Sequence, residues 1–558
     1  MINLGETALK IPFLGPKSCR TPEENKKSLL ECGTFCILLL LAACFTLGLW
    51  GANVLEENAA LKEAGEEIWD SMFKYMVLFC AFACCCLVMY FRQTGTLSEE
   101  KLMAILFVMA LVARLVYTLE IGITTNQHDV SNFNKLGNYG HTGYIRYIME
   151  EGIPNFDVIG KSQFYHPPLH HIICANFISF QEDIGISFEV AIQNLQILTL
   201  FYSMVTLYAS YRIMKLFGFT GTALFLPMTV LAFHPTFYLF SGSINNDCLS
   251  VMFVFLAVWA ALEWHKKPSF FGIAMLALCI GCSMFAKLAT GVVAPAVAML
   301  FLHKLVTERD WKGRGTLIAQ FALFGVICIP LGIGWQVRNF LLYDTPLTYV
   351  PKLSTKADQY LGGYTVTERF FDWESLKDFG VYPMRAGTQG AEYFEHCIPL
   401  AVLKMSMFGE YSRWKDYHVY DASSNLLFWM NVIIVIATLI GAAYCIWQVF
   451  RRQTEEQFTD KMGFGRLPCL FILFYWVTML MTYVPFCFSY PHFCSMDYRY
   501  LVPTLLTGAV FLGVLLKKME QADPATVTGK LLIGGKSVLI AATALFVVCA
   551  TMIYPMYY

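Results

Sequence analysis

Residues 127–171 read QHDVSNFNKLGNYGHTGYIRYIMEEGIPNFDVIGKSQFYHPPLHH. The stretch is rich in His, Asn, Tyr and Gly and lies between long apolar runs, so it reads as a polar interval that a membrane protein keeps outside its hydrocarbon core. Within it, Ile145, Ile148 and Met149 recur at helical spacing opposite Arg146 and Glu150 and stop at Gly152 and Pro154. That pattern predicts a short helix anchored in the membrane interface. After Tyr165-His166, Pro167 and Pro168 suit the first turn of another helix, and the apolar run to Phe180 is too short to span. A second surface or re-entrant helix is expected there.

Around this interval the chain changes character. Of its 558 residues 57% are hydrophobic and 15% charged, with mean hydropathy +0.52, which excludes an ordinary soluble protein. A formal net charge of −1 gives no reason to expect a nucleic-acid partner. The opening residues are polar and carry Lys10, Lys17, Arg20, Lys26 and Lys27, so no cleavable signal is expected and the N-terminus is expected to be cytoplasmic. About thirteen windows are long and apolar enough to cross about 30 Å of hydrocarbon. They lie near 34–54, 72–91, 102–121, 187–213, 220–240, 247–264, 270–286, 288–306, 315–336, 424–450, 467–488, 500–516 and 536–555. Starting inside, the alternation places Arg92, Lys101, Arg212, Lys215, Lys266, Lys267, Arg451, Arg452, Lys517 and Lys518 on the cytoplasmic side. The first two windows then form a hairpin around an acidic outer loop, 56–70, and the 127–171 stretch is outside as well.

Other polar points fall on the same outer side. Asp247 opens an inward helix after Ser241-Gly242-Ser243-Ile244-Asn245-Asn246, where a carboxylate caps backbone or binds substrate. Lys287 stands between two short apolar helices, a place that is costly unless the ammonium reaches water or an anion; snorkelling and phosphate binding both fit. Trp335-Gln336-Val337-Arg338-Asn339 opens an outer segment, 337–424, long enough to form a lid and containing a helix near 398–408. Ser495 to Tyr500 brings Asp497, Arg499 and Tyr500 to that side. Most cysteines lie in apolar runs as small buried hydrophobes, while Cys397, Cys487 and Cys494 are placed outside, where pairing is open to them. One face of the membrane thus collects Asp129, Asp247 and Asp497, Arg146, Lys287, Arg338 and Arg499, and His128, His141, His166, His170 and His171. Such a set suits transfer of a sugar from a polyprenyl phosphate, in which cations hold the anionic leaving group while a carboxylate takes the proton of an acceptor hydroxyl.

The order of these elements carries a resemblance: H-x2-Y-I-x-Y-I from His141, Y-H-P-P-L from Tyr165, S-x5-D ending at Asp247, an interrupted helix pair with Lys287, W-x2-R-N from Trp335 and D-Y-R-Y-L-x-P from Asp497. Over roughly residues 102–516 the chain resembles the GT-C superfamily of membrane glycosyltransferases, and within it bacterial relatives of dolichyl-phosphate-mannose protein mannosyltransferases and of lipid A aminoarabinose transferases. The resemblance implies an all-α, GT-C-type polytopic membrane fold of about thirteen spans whose outer loops bear interfacial helices. Residues 1–101 would be a cytoplasmic N-terminus with a two-helix extension, 102–516 the catalytic module with outer loops 122–186 and 337–424, and 517–558 a cytoplasmic loop and last span.

The implied activity is that of a hexosyl- or pentosyltransferase in a bacterial plasma membrane. It would move a sugar with inversion from a polyprenyl-phosphate donor to a hydroxyl of an extracytoplasmic glycan, protein or lipid. Asp129 falls where the family has its general base. Lys287, Arg338 and Arg499 are the implied phosphate ligands, and His128, Arg146, Tyr165, His166, Asp247 and Tyr500 the implied substrate contacts. The chain departs from the family's usual acidic pair, because His128 precedes Asp129. No cofactor is expected. His166 and His170 form with Asp129 a set like metal ligands, but Pro167 and Pro168 lie between the two histidines and no metal is assigned. The competing classes are a secondary transporter and a non-catalytic lipid-binding protein. Against transport stand the placement of polar residues in outer loops and the absence of an evident internal repeat.

Overall fold

The structure, a computed structural model, describes residues 59–125, 129, 130, 133, 140–378, 380–387, 390–410 and 421–555. His128 and the expected first span, 34–54, lie outside them. A segment in hydrocarbon has no water to satisfy its backbone, so the apolar runs close their own hydrogen bonds as helices. Nine described helices are long and apolar enough to cross a membrane, or up to eleven when two bent pairs are each counted as one span. The bent pairs are Gly221–Phe233 with Pro235–Gly242, at 44°, and Phe493–Tyr500 with Thr504–Glu520, at 55°. Phe270–Ala286, with 17 residues, stands at the lower limit of spanning length. The chain is therefore an all-α polytopic fold with one small antiparallel hairpin, Met384–Gly387 against Gly390–Phe394.

The expected acidic loop before the second span is corrected. Helix Ala59–Gln93 begins well ahead of residue 72 and runs through most of the acidic stretch, whose Ala, Leu, Glu and Lys residues are strong helix formers.

The first bend has a definite chemical cause. Leu231 would give its carbonyl to the N–H four residues on, but that residue is Pro235, which has none. The next N–H, of Thr236, is taken by His234 Nδ1 at 3.3 Å, which leaves Ala232 uncovered too. Arg114, buried in helix Glu99–Glu120, supplies both donors from Nη2, at 3.1 Å to Leu231 O and 2.9 Å to Ala232 O. Its Nη1 holds Ser203 O at 3.1 Å and Ser203 Oγ at 2.8 Å. The guanidinium thus sits at the negative end of a helix. Arg114→Leu strands these carbonyls in a dry interior and is expected to destabilise the fold by about 2–4 kcal/mol, with Arg114→Lys intermediate because an ammonium lacks the planar fork. Thermal melts in detergent check this; an unchanged midpoint for Arg114→Leu would contradict it.

The two helices expected between 140 and 180 are present as Gly140–Glu151 and Leu169–Asp183. In the first, Ile145 is buried with Cys174, Ile178 and Ile186, and Ile148 and Met149 pack on the same cluster, so its apolar face meets protein. The 337–424 segment forms helices Val366–Phe371, Ser375–Asp378 and Ile398–Phe408 as well as the hairpin. It is pinned by the wholly buried pair Lys404–Glu395 at 2.6 Å. The Glu395 carboxylate is otherwise covered by Ser375 Oγ at 2.7 Å and by the backbone N–H groups of His396 and Cys397, both at 3.0 Å. A second seam joins the segment to the 490–500 turn, with Leu361 N donating to Pro491 O at 2.7 Å and Phe493 N to Gln359 O at 2.9 Å. Cys397, Cys487 and Cys494 are free thiols.

Candidate active site

Three chain reversals meet beside the helices just described. In the first, Asn246 donates from Nδ2 to Ala286 O at 2.7 Å, which ties the start of helix Asp247–Lys266 to the end of helix Phe270–Ala286. Asn245 Oδ1 accepts from Asp247 N at 3.0 Å, so the carboxylate of Asp247 is left for a partner other than its own helix. That partner is Lys287, whose Nζ is ion-paired with Asp247 Oδ1 and lies 4.8 Å from the ring centre of Tyr500. The lysine is buried and meets an anion, so it does not snorkel.

Lys287 marks the second reversal, and Arg499 comes from the third. Asp497 caps the short turn Tyr498–Tyr500, accepting from Arg499 N at 2.8 Å. The guanidinium lies 3.8 Å from Asp129 Oδ2, 3.7 Å from Asp247 Oδ2 and 3.9 Å from Asp497 Oδ2, which is ion-pair range but beyond hydrogen bonding. Among the described residues its side chain donates one hydrogen bond to oxygen, from Nη2 to Tyr500 Oη at 3.2 Å. Donors remain for an incoming anion. The three carboxylates differ in access: the Asp129 side chain is 47% exposed, those of Asp247 and Asp497 only 3% and 4%. Asp129 also has φ of 55°, in the left-handed region that Asp tolerates better than most residues, and its carbonyl accepts from His141 N at 2.7 Å.

Asp129, Asp247, Lys287, Arg499 and Tyr500 open on one cavity of about 480 Å³, which Asp497 does not line. Its lining joins the polar Asp129, Tyr165, His166, Asp247, Lys287 and Arg499 to the apolar Val251, Val254, Val292, Met479 and Phe486. Two of the sequence-predicted ligands are elsewhere. Arg146 pairs with Glu150 at 2.7 Å and donates to Phe133 O at 2.8 Å on the outside of its helix. Arg338 donates to Pro154 O at 2.8 Å and Asn339 Oδ1 at 2.9 Å and stacks on Trp335, clamping the 154–155 turn. Its neighbours Gln336 and Asn339 line the cavity instead. They are three apart and share a helix face, whereas Arg338, two from Gln336, is turned about 200° away. The same clamp continues through Tyr343 Oη to Asn155 Oδ1 at 2.7 Å and Tyr349 Oη accepting from Gly160 N at 3.0 Å, so residues 345–350 lie along the cavity wall.

Behind Asp129 is a cluster of imidazoles. His141 stacks on His166 and lies nearly coplanar with His171, His171 stacks on Tyr144, and His170 Nε2 donates to Ile244 O at 2.7 Å. Burial holds all four below the usual imidazole range, His170 at about 4. Burial likewise pushes the Tyr165 phenol upward, so it stays a neutral donor. The native histidines remain neutral while an unfolded chain takes up protons below about pH 6.5. Their stability is therefore fully present above that pH and is lost as pH falls toward the folded values, on the order of 1 kcal/mol per pH unit for each. Melts between pH 7 and pH 4.5 are expected to fall steeply, and His170→Asn to flatten the slope; a flat wild-type profile would contradict this. No group of three or more His, Cys, Asp or Glu among the described residues is arranged to hold a metal ion.

Residues 165–334 match the dolichyl-phosphate-mannose-protein mannosyltransferase family. This segment begins at Tyr165 and takes in His166, Asp247 and Lys287, so the mannosyltransferase match and the order of motifs coincide over the centre of the site. No curated protein matches the sequence. Among solved structures, the apo oligosaccharyltransferase of Archaeoglobus fulgidus aligns at 14% identity and a TM-score of 0.46, over 81% of this chain and 56% of its own. The same organism's AglB, in complex with an inhibitory peptide and a dolichol-phosphate, aligns at 14% identity and a TM-score of 0.45, over 81% and 56%. ArnT from Cupriavidus metallidurans bound to undecaprenyl phosphate aligns at 14% and 0.43, over 82% of this chain and 76% of its own. The chain spans about half the length of the oligosaccharyltransferases it matches.

Proposed function

We propose that this chain is a membrane glycosyltransferase that moves one sugar from a polyprenyl-phosphate donor to an acceptor hydroxyl with inversion. The observation that carries the proposal is one cavity lined both by the cations Lys287 and Arg499 and by the apolar Val251, Val254, Val292 and Met479. A lipid phosphate matches both kinds of lining at once: its anion meets the two cations and its first isoprene units meet Val251, Val254 and Met479. The mannosyltransferase match over 165–334 agrees with this reading.

The chemistry follows from access. Asp247 and Asp497 are buried against cations and serve as their counter-charges, while Asp129 is half open and is the carboxylate that an acceptor can reach. Phosphate entering beside Arg499 competes with Asp129 for the guanidinium and frees that carboxylate. Asp129 then takes the proton of the acceptor hydroxyl as its oxygen bonds to the anomeric carbon on the face opposite the phosphate. The anomeric C–O bond to phosphate breaks, and polyprenyl phosphate leaves with the electron pair, held by Lys287 and Arg499. Tyr165, His166 and Tyr500 shape the pocket around the sugar.

Thermal melts with two lipids test the binding half of this proposal. Polyprenyl phosphate at about 100 times its Kd is expected to stabilise the protein by about 3 kcal/mol, and polyprenol of the same length, lacking the phosphate, by much less. Equal shifts, or none, would overturn it.

A further inference from the structure

We infer that His141 is a neutral hydrogen-bond donor to the bound substrate, and that His171, which does not line the cavity, is the positioning residue that fixes its tautomer. His141 lines the cavity; His171 lies one layer deeper, wholly buried. The nitrogens His141 Nδ1 and His171 Nε2 are 2.9 Å apart, so one donates to the other. His171 Nδ1 is buried and has no hydrogen-bond partner among the described residues. If His141 donated, neutral His171 would carry its proton on Nδ1 as an unpaired N–H in the interior. An orphaned buried donor is rare and costly, so the bond runs from His171 Nε2–H to His141 Nδ1. The proton of His141 then resides on Nε2, which is its remaining donor. Stacking of His171 on Tyr144, with ring centres 4.0 Å apart, keeps the donor ring in place, nearly coplanar with the His141 ring at 8°.

The groups facing His141 explain why a neutral donor suits this position. Besides His171 they are His166 and His170, Asp247 and Lys287. Lys287 and Arg499 already supply the positive charge, and a third cation would repel both. A tautomer-fixed imidazole adds a donor to a phosphate or sugar oxygen without adding charge, and burial keeps it from titrating near neutrality. The inference rests on the proposed transfer reaction for what His141 touches, but the tautomer itself does not depend on it.

The test joins a spectrum to a pH profile. In full-length protein labelled with 15N-histidine, with His141 assigned by difference from His141→Asn, the inference expects Nδ1 unprotonated and Nε2 protonated from pH 6 to 8, with or without polyprenyl phosphate. His171→Phe keeps the stacking and removes the donor; it is expected to lower kcat/KM about 10-fold at pH 7 and to move the acid limb up by about one pH unit. His171→Gln, whose amide can donate to Nδ1, is expected to restore both. In a His141→Phe background the His171 substitutions should have no further effect. Nδ1 of His141 carrying the proton, or an unchanged pH profile in His171→Phe, would overturn the inference. Absence of transfer by wild-type protein from any polyprenyl-phosphate sugar would overturn the proposed reaction instead, with the spectrum still deciding the tautomer.

Discussion

Asp129→Asn is expected to lower sugar transfer by about 10²–10⁴-fold while leaving donor binding close to wild type. An amide of the same size keeps the side chain's hydrogen-bonding shape but cannot take the acceptor's proton. The backbone does not oppose the change, because Asn tolerates the left-handed conformation that residue 129 adopts at φ 55° about as well as Asp does. The 3.8 Å contact with Arg499 is a loose one, so its loss costs little stability. The effect should therefore fall on kcat, and an unchanged kcat in a folded, membrane-inserted variant would remove Asp129 from the role of base.

Arg499→Gln is expected to weaken lipid-phosphate binding by about 10²–10³-fold and to cost stability as well. The guanidinium stands among Asp129, Asp247 and Asp497. Its removal deletes an anion ligand and leaves two buried carboxylates with less compensation. Arg499→Lys restores the charge but offers a point cation in place of a fork, and it should recover stability more than affinity. Melts without ligand and titrations with polyprenyl phosphate separate the two effects. Wild-type affinity in Arg499→Gln would place the phosphate elsewhere.

Much of this architecture is legible in the chain because hydrocarbon imposes simple rules. Apolar length marked most of the spans, and the two that deviate most are bent, one at Pro235 and one before Thr504. Lys287 was visible as a charge between apolar helices, and Asp247 as a carboxylate opening one. Their pairing was not, because it depends on Asn246 reaching Ala286 O across forty residues. Arg338 was misplaced for a different reason. A cation beside Gln336 and Asn339 looks like part of their face, but the helical turn sends it to the 154–155 loop. The helix Gly140–Glu151 shows the limit of amphipathic patterns: an apolar stripe states that something covers it, and only the structure shows that helix Leu169–Asp183 packs there. His141 stood in the sequence as one of five outer-face histidines, and its 2.9 Å contact with His171 is what assigns it a tautomer.

Mass spectrometry of the lipid that copurifies with Asp129→Asn tests the central claim most directly. A site that binds polyprenyl-phosphate sugar but lacks its base should retain the donor, so the variant is expected to carry the lipid phosphate with its sugar still attached, and Arg499→Gln little or none. Recovery of no polyprenyl phosphate lipid from wild type or from Asp129→Asn would contradict the account.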